Sequence, residues 1–165
     1  MKTQHPLTRA TAPSAIDTGF KSALAQGRFH AVLAAGNSGA DACGTSPAKV
    51  GGSNSTAITV GSIGMGNAIS SFSNTGACVD IYAPGESVVS SWNTANNAVA
   101  SLAGTSMATP HVTGVVAYWA AKRADLARDP AAMKAFLASG ALKGVVTGSP
   151  RSGDKKLLLN NGQTA

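Results

Sequence analysis

The chain has 165 residues, of which 44 % are hydrophobic and 12 % charged, a balance that suits a globular domain with a real core and argues against a disordered chain. Its net charge of +6 comes from lysines and arginines scattered mostly after residue 120. There is no basic stripe interleaved with aromatics, so a nucleic-acid partner is not expected. No apolar run approaches the ~18 residues of a membrane span, and Met1 to Leu7 lacks the apolar core of a secretory signal, so neither a membrane nor a signal peptide is expected.

Residues 1–13 contain two prolines and no periodicity, and read as an irregular stretch. Residues 14–27 read as an amphipathic helix. Ser14 is its N-cap and Asp17 the capping-box acid; Ile16, Phe20 and Leu24 make an apolar face at i, i+4 and i+8, and Gly27 is the stop. Phe29 to Ala35 fits a strand buried on both faces. A helix followed by a buried strand is the second half of a βαβ unit, which makes the class α/β. Thr56 to Ile63 and Val79 to Tyr82 read as further strands, and Ser87–Trp92 with Ala98–Leu102 as a β-pair around an Asn-rich turn. A long helix is expected from about Ser106 to Arg123. Asp129-Pro130 opens another as N-cap and N1, with Met133, Phe136 and Leu137 buried and Gly140 as its stop. Lys156 to Leu159 reads as an edge strand.

Two segments carry chemistry. In Gly104-Thr105-Ser106-Met107-Ala108-Thr109-Pro110-His111-Val112, Ser106 stands on the opening turn of a helix, where backbone N–H groups are unpaired and the dipole is positive. Such an N–H stabilises the oxygen that turns negative when a serine attacks a carbonyl. Small Gly104 and Ala108 leave room beside the serine. A lone Gly-Thr-Ser would be a plain N-cap; the whole nine-residue string is not read that way. Ala34-Ala35-Gly36-Asn37 ends a buried strand with a side-chain amide, which can donate an N–H to the same oxygen without competing as a base.

The nine-residue string resembles the nucleophile signature of the subtilases, closest to their proteinase K-like group. Ala34 to Asn37 resembles that family's oxyanion-hole segment. Ser71 to Gly76 and Val79 to Gly85 (VDIYAPG) resemble its central region, so the likeness runs from about Ser14 to Leu158. It implies an α/β, parallel-sheet, three-layer fold truncated at its N-terminal half, with residues 14–165 the C-terminal part of a catalytic domain. The implied activity is a serine endopeptidase that cuts protein or peptide substrates through an acyl-enzyme on Ser106, with Asn37 in the oxyanion hole. Substrate would lie along Ala34, Ala35, Gly36, Gly104 and Thr105, with Ser46-Pro47-Ala48 behind the pocket. By position, Cys43 and Cys78 match a family cystine; the residues alone leave two buried thiols equally open. Asp80 matches a family calcium ligand, with the Ser55 and Ala57 carbonyls as partners; a satisfied strand-end carboxylate is the alternative. A secreted monomer is implied as well.

The base that activates a serine is a histidine oriented by a carboxylate, and in this family both precede the Ala34–Asn37 segment. Only thirty-six residues precede Asn37, and none forms a His-Gly-Thr-His-like motif. Asp17-Thr18-Gly19 imitates the aspartate motif but lies within the expected helix, eighteen residues before Ala35. His111 is five residues after Ser106, about 140° around the helix. His30 precedes the buried strand at its far end, and His5 lies in the irregular stretch. The chain alone is therefore expected to be inactive and to need the N-terminal part of the same domain. A catalytically dead peptide-binding module is the alternative. An acyl-hydrolase of another α/β type is disfavoured because no G-x-S-x-G elbow surrounds Ser106.

Overall fold

In the computed structural model, which describes residues 15–27 and 29–162, three parallel strands line up in chain order: β1 (Val32–Ala34), β2 (Ile58–Ile63) and β3 (Ile81–Pro84). Val32 pairs with Ile58, and Val60 with Ile81. Parallel neighbours need a crossover. Between β1 and β2 this is made by short 3-10 turns at Ala42–Gly44, Ala48–Val50 and Gly52–Asn54. All six residues of β2 are buried, as expected of a central strand covered on both faces.

One face is covered by α2 (Thr105–Lys122), α3 (Ala124–Ala127) and α4 (Pro130–Gly140). Ala108, Val112 and Val116 of α2, with Met133 and Leu137 of α4, pack against Ile58, Val60, Ile81 and Ala83. Asp129 caps α4 by accepting the Ala132 N–H at 2.9 Å, with Pro130 at its first position. On the other face α1 (Ala15–Leu24) brings Leu24 and Phe20 onto Ala31, Leu33, Val50 and Ala57. The result is three layers, helix–sheet–helix. A hairpin, β4 (Val88–Ser91) with β5 (Val99–Leu102), stands beside the sheet and leads directly into α2.

The helix over 14–27 is shorter than expected and rotated: α1 ends at Leu24, Ile16 is 59 % exposed, and Asp17 is buried instead. An ion pair decides this. Asp17 meets Lys49 at 2.8 Å and accepts the Ser46 hydroxyl at 2.7 Å. Its capping-box partner Ser14, and the stretch 1–13, lie outside the described residues. Gly140 belongs to α4, which is capped by Ala141. Lys156–Leu159 does extend the sheet beyond β3, but only as a bridge between Leu158 and Tyr82. Cys43 and Cys78 form a disulfide that ties the first 3-10 turn to the segment entering β3.

Candidate active site

The carboxyl end of β1 and the amino end of α2 meet at one place. At Gly104 the chain turns from the hairpin into α2, its N–H bonded to the Gly85 carbonyl at 2.8 Å. Ser106 follows on the first turn, exposed, where its N–H has no helical acceptor. Thr105 is fully buried and points back to β1. Its backbone N–H and its hydroxyl both donate to the Asn37 side-chain oxygen, at 2.9 and 2.8 Å, and the hydroxyl accepts the Gly36 N–H at 3.2 Å. A backbone N–H can only donate, so the Asn37 atom facing it is the oxygen and its NH2 is turned outward. A Cβ on Gly104 would stand 3.2 Å from Asn37 Nδ2 and 3.7 Å from Ser106 N. The Asn37 side-chain nitrogen and the Ser106 backbone nitrogen thus both lie near Gly104.

Asn74 holds the loop that carries Asn37. It is fully buried and donates to the Ala35 carbonyl at 2.9 Å and the Thr45 hydroxyl at 3.1 Å; its oxygen accepts the Ser38 and Ala40 N–H groups at 3.1 and 2.9 Å. Gly36 makes this possible: its φ is +103°, and a Cβ there would come within 2.4 Å of Asn74 Nδ2. In the sequence Asn74 stands out only as part of Ser71–Gly76. A carboxamide among small residues gives no periodicity signal, and its bracing role is not visible without coordinates.

Of the expected substrate wall, Gly36 and Ala34 are partly open, whereas Ala35 is fully buried. Its N–H donates to Val60 and its carbonyl accepts from Asn74. Both backbone groups of Ala35 are therefore already engaged within the fold. Gly104 and Thr105 lie next to Ser106 and are buried, with Thr105 bonded to Asn37. Ser46 sits beside α1 through its hydrogen bond to Asp17.

Neither histidine among the described residues is hydrogen-bonded to Ser106. His111 Nδ1 lies 2.9 Å from the Met107 carbonyl and His30 Nε2 3.2 Å from the Ala127 carbonyl, each engaged with its own neighbourhood. Asp17 is committed to Lys49 and Ser46.

The oxygens named for calcium do converge, but around an ammonium. Lys134 Nζ, from α4, stands 2.6 Å from the Gly52 carbonyl, 3.0 Å from that of Ser55, 2.6 Å from that of Ala57 and 3.1 Å from Asp80 Oδ2. Asp80 Oδ2 also accepts the Gly52 and Thr59 N–H groups, and Lys155 lies 3.3 Å from Oδ1. Burial pulls the Lys134 ammonium below the usual lysine range, and the Asp80 charge opposes that pull. With the centre already filled and a second lysine at its rim, these residues do not fit a metal ion. Among the described residues no group of three or more His, Cys, Asp or Glu gathers elsewhere.

Residues 3–162 match the model of the Subtilase family. The chain is 45 % identical over 150 residues to the subtilase-type proteinase psp3 of Schizosaccharomyces pombe, covering 91 % of this chain and 32 % of that protein. It is 46 % identical over 108 residues to the extracellular serine proteinase of Thermus sp. (strain Rt41A), covering 66 % and 25 %. Among solved structures, a cold adapted subtilisin-like serine proteinase superposes with a TM-score of 0.77 at 38 % identity, covering 90 % of this chain and half of that one. The chain belongs to the subtilase family, whose α/β fold it shares, and its relatives are serine proteases. It spans a third or less of the length of the curated relatives named.

Proposed function

We propose that this chain is the nucleophile-bearing part of a serine endopeptidase, with Ser106 as the attacking group and Asn37 as an oxyanion donor. The observation that carries the reading is the Thr105–Asn37 contact, which engages the side-chain oxygen of Asn37 and leaves its NH2 as the donor. In the reaction a base removes the Ser106 hydroxyl proton as Oγ bonds to the scissile carbonyl carbon. The carbonyl electrons move to its oxygen, and the Ser106 N–H and Asn37 Nδ2 hold that charge. Collapse expels the amine, which takes the proton from the base, and leaves an acyl-enzyme on Ser106.

The base and its carboxylate belong to the N-terminal part of the same domain. Support comes from the β1 edge: among the described residues β1 pairs only with β2, and its other edge offers backbone groups to a further strand. The substrate is a protein or peptide chain and the working form a monomer. A secreted location fits the disulfide, which needs an oxidising compartment, and the extracellular naming of one relative.

A fluorophosphonate probe tests this. The 165-residue chain is expected to show no enzyme-like labelling at Ser106, and a longer chain with the acid and base is expected to label rapidly there. Rapid, saturable labelling of the short chain overturns the assignment of the base. Failure of the longer chain to label points to a peptide-binding module.

A further inference from the structure

We propose that Lys134 is a built-in replacement for a divalent cation: its ammonium occupies a ready-made cation site, and its removal opens that site to calcium. The inference does not depend on the peptidase reading. Three carbonyls, from Gly52, Ser55 and Ala57, point at one spot together with one carboxylate oxygen, Asp80 Oδ2. Hard, all-oxygen coordination with one or more carboxylates is what calcium takes. Converging carbonyls repel one another unless a positive charge sits among them, and here Lys134 supplies it. Its side chain is only 16 % exposed.

The placement follows from α4. Met133 and Leu137 anchor the helix in the core, and Lys134, one position on, reaches across to the 52–57 segment and to Asp80 just before β3. One side chain thereby joins a helix, a loop and a strand entrance, the same joining that a bound ion performs by ligating several segments. The ion and the ammonium are mutually exclusive. A calcium ion needs its oxygens at about 2.3–2.6 Å, which would put it where Nζ now is, beside Lys155 and with a single carboxylate to offset three positive groups.

The test is thermal melting of the protein in millimolar calcium chloride and in EDTA, as the parent and as Lys134→Ala and Lys134→Gln. Calcium is expected to raise the melting temperature of each variant over EDTA by about 3–6 °C more than it does for the parent, at roughly ten times the dissociation constant of the ion. A calcium response no larger in the variants than in the parent overturns the proposal. Acylation of Lys134 in the unmodified protein, mapped by mass spectrometry, gives a measurement that needs no variant. Lys134 is expected to be equally protected in calcium and in EDTA; greater acylation in calcium would mean that the ion displaces the ammonium, and would refute it.

Discussion

Thr105 gives both of its donors to the side-chain oxygen of Asn37, through its backbone N–H at 2.9 Å and its hydroxyl at 2.8 Å. Thr105 precedes Ser106 on α2, and Asn37 follows the end of β1. The contact therefore registers the helix that carries Ser106 against the loop that carries Asn37. It also fixes the amide plane, which in the proposed reaction would leave the NH2 in place as negative charge develops.

Thr105→Val removes both hydrogen bonds of the hydroxyl, the one given to Asn37 and the one accepted from Gly36, and leaves the backbone N–H. The lost bond to Asn37, about 1 kcal/mol, is expected to lower acylation of the assembled enzyme by about five- to tenfold with little change in KM, and the lost Gly36 bond to lower stability. Asn37→Ala removes the donor itself, for a loss of about a hundred- to thousand-fold in kcat, a magnitude carried over from subtilisin itself rather than obtained from this geometry. Because Thr105 acts through Asn37, the double variant is expected to be no slower than Asn37→Ala alone. Additive losses, read from peptide hydrolysis, would show that Thr105 contributes by another route.

Much of this is legible in the sequence, and the reasons differ by element. The hairpin, α2 and α4 announce themselves through β-branched runs, turn residues and the Asp129-Pro130 cap, as do the strands expected over 56–63 and 79–82, which form at 58–63 and, two residues late, at 81–84. Ser106 and Asn37 stand out because their chemistry comes with two motifs in order. What stays hidden is long-range and polar. The rotation of α1 is set by Lys49, far along the chain in a 3-10 turn; apolar spacing points to Ile16, and the buried charge of Asp17 wins. Lys134 reads as an ordinary helix-surface lysine, since its acceptors lie on segments some eighty residues away.

The Asp17–Lys49 pair lends itself to a stability measurement. Lys49→Met leaves the Asp17 carboxylate buried with the Ser46 hydroxyl but without the Lys49 cation. Taking the cation away from a buried carboxylate is destabilising, and the urea midpoint should fall. Asp17→Asn combined with Lys49→Met is expected to recover much of that loss, because the buried carboxylate charge is gone as well. A midpoint unchanged in Lys49→Met would mean that the Asp17–Lys49 pair contributes nothing to holding α1.

The Cys43–Cys78 bridge closes a loop of 35 residues, and in the chain-entropy account a loop of that size stabilises by about 3–4 kcal/mol. The Cys43→Ala/Cys78→Ala double variant should lose about that much in denaturant unfolding, and the parent should lose the same on reduction. A loss below about 1 kcal/mol would mean that the unfolded chain is already restricted in this region.

Tyr82 governs behaviour at high pH. Its ring is fully buried on β3, and its hydroxyl donates to Asp154 Oδ2 at 2.7 Å, an oxygen that also accepts the Gly76 N–H at 2.8 Å. Burial first, and then the hydrogen bond to Asp154 and its charge, push the phenol far above the ordinary tyrosine range. The folded form therefore keeps a proton that the unfolded chain releases above about pH 10. Stability from this source is intact below that pH and declines above it, by about 1.4 kcal/mol per pH unit. Tyr82→Phe should cost about 1 kcal/mol at neutral pH through the lost hydrogen bond, while Asp154 keeps its Gly76 and Lys156 donors. The variant has no phenol to ionise, so its alkaline decline should be shallower, and by about pH 11 it should match or exceed the parent. Guanidinium midpoints for both proteins across that range decide the matter: parallel curves would mean that Tyr82 ionises within the folded protein.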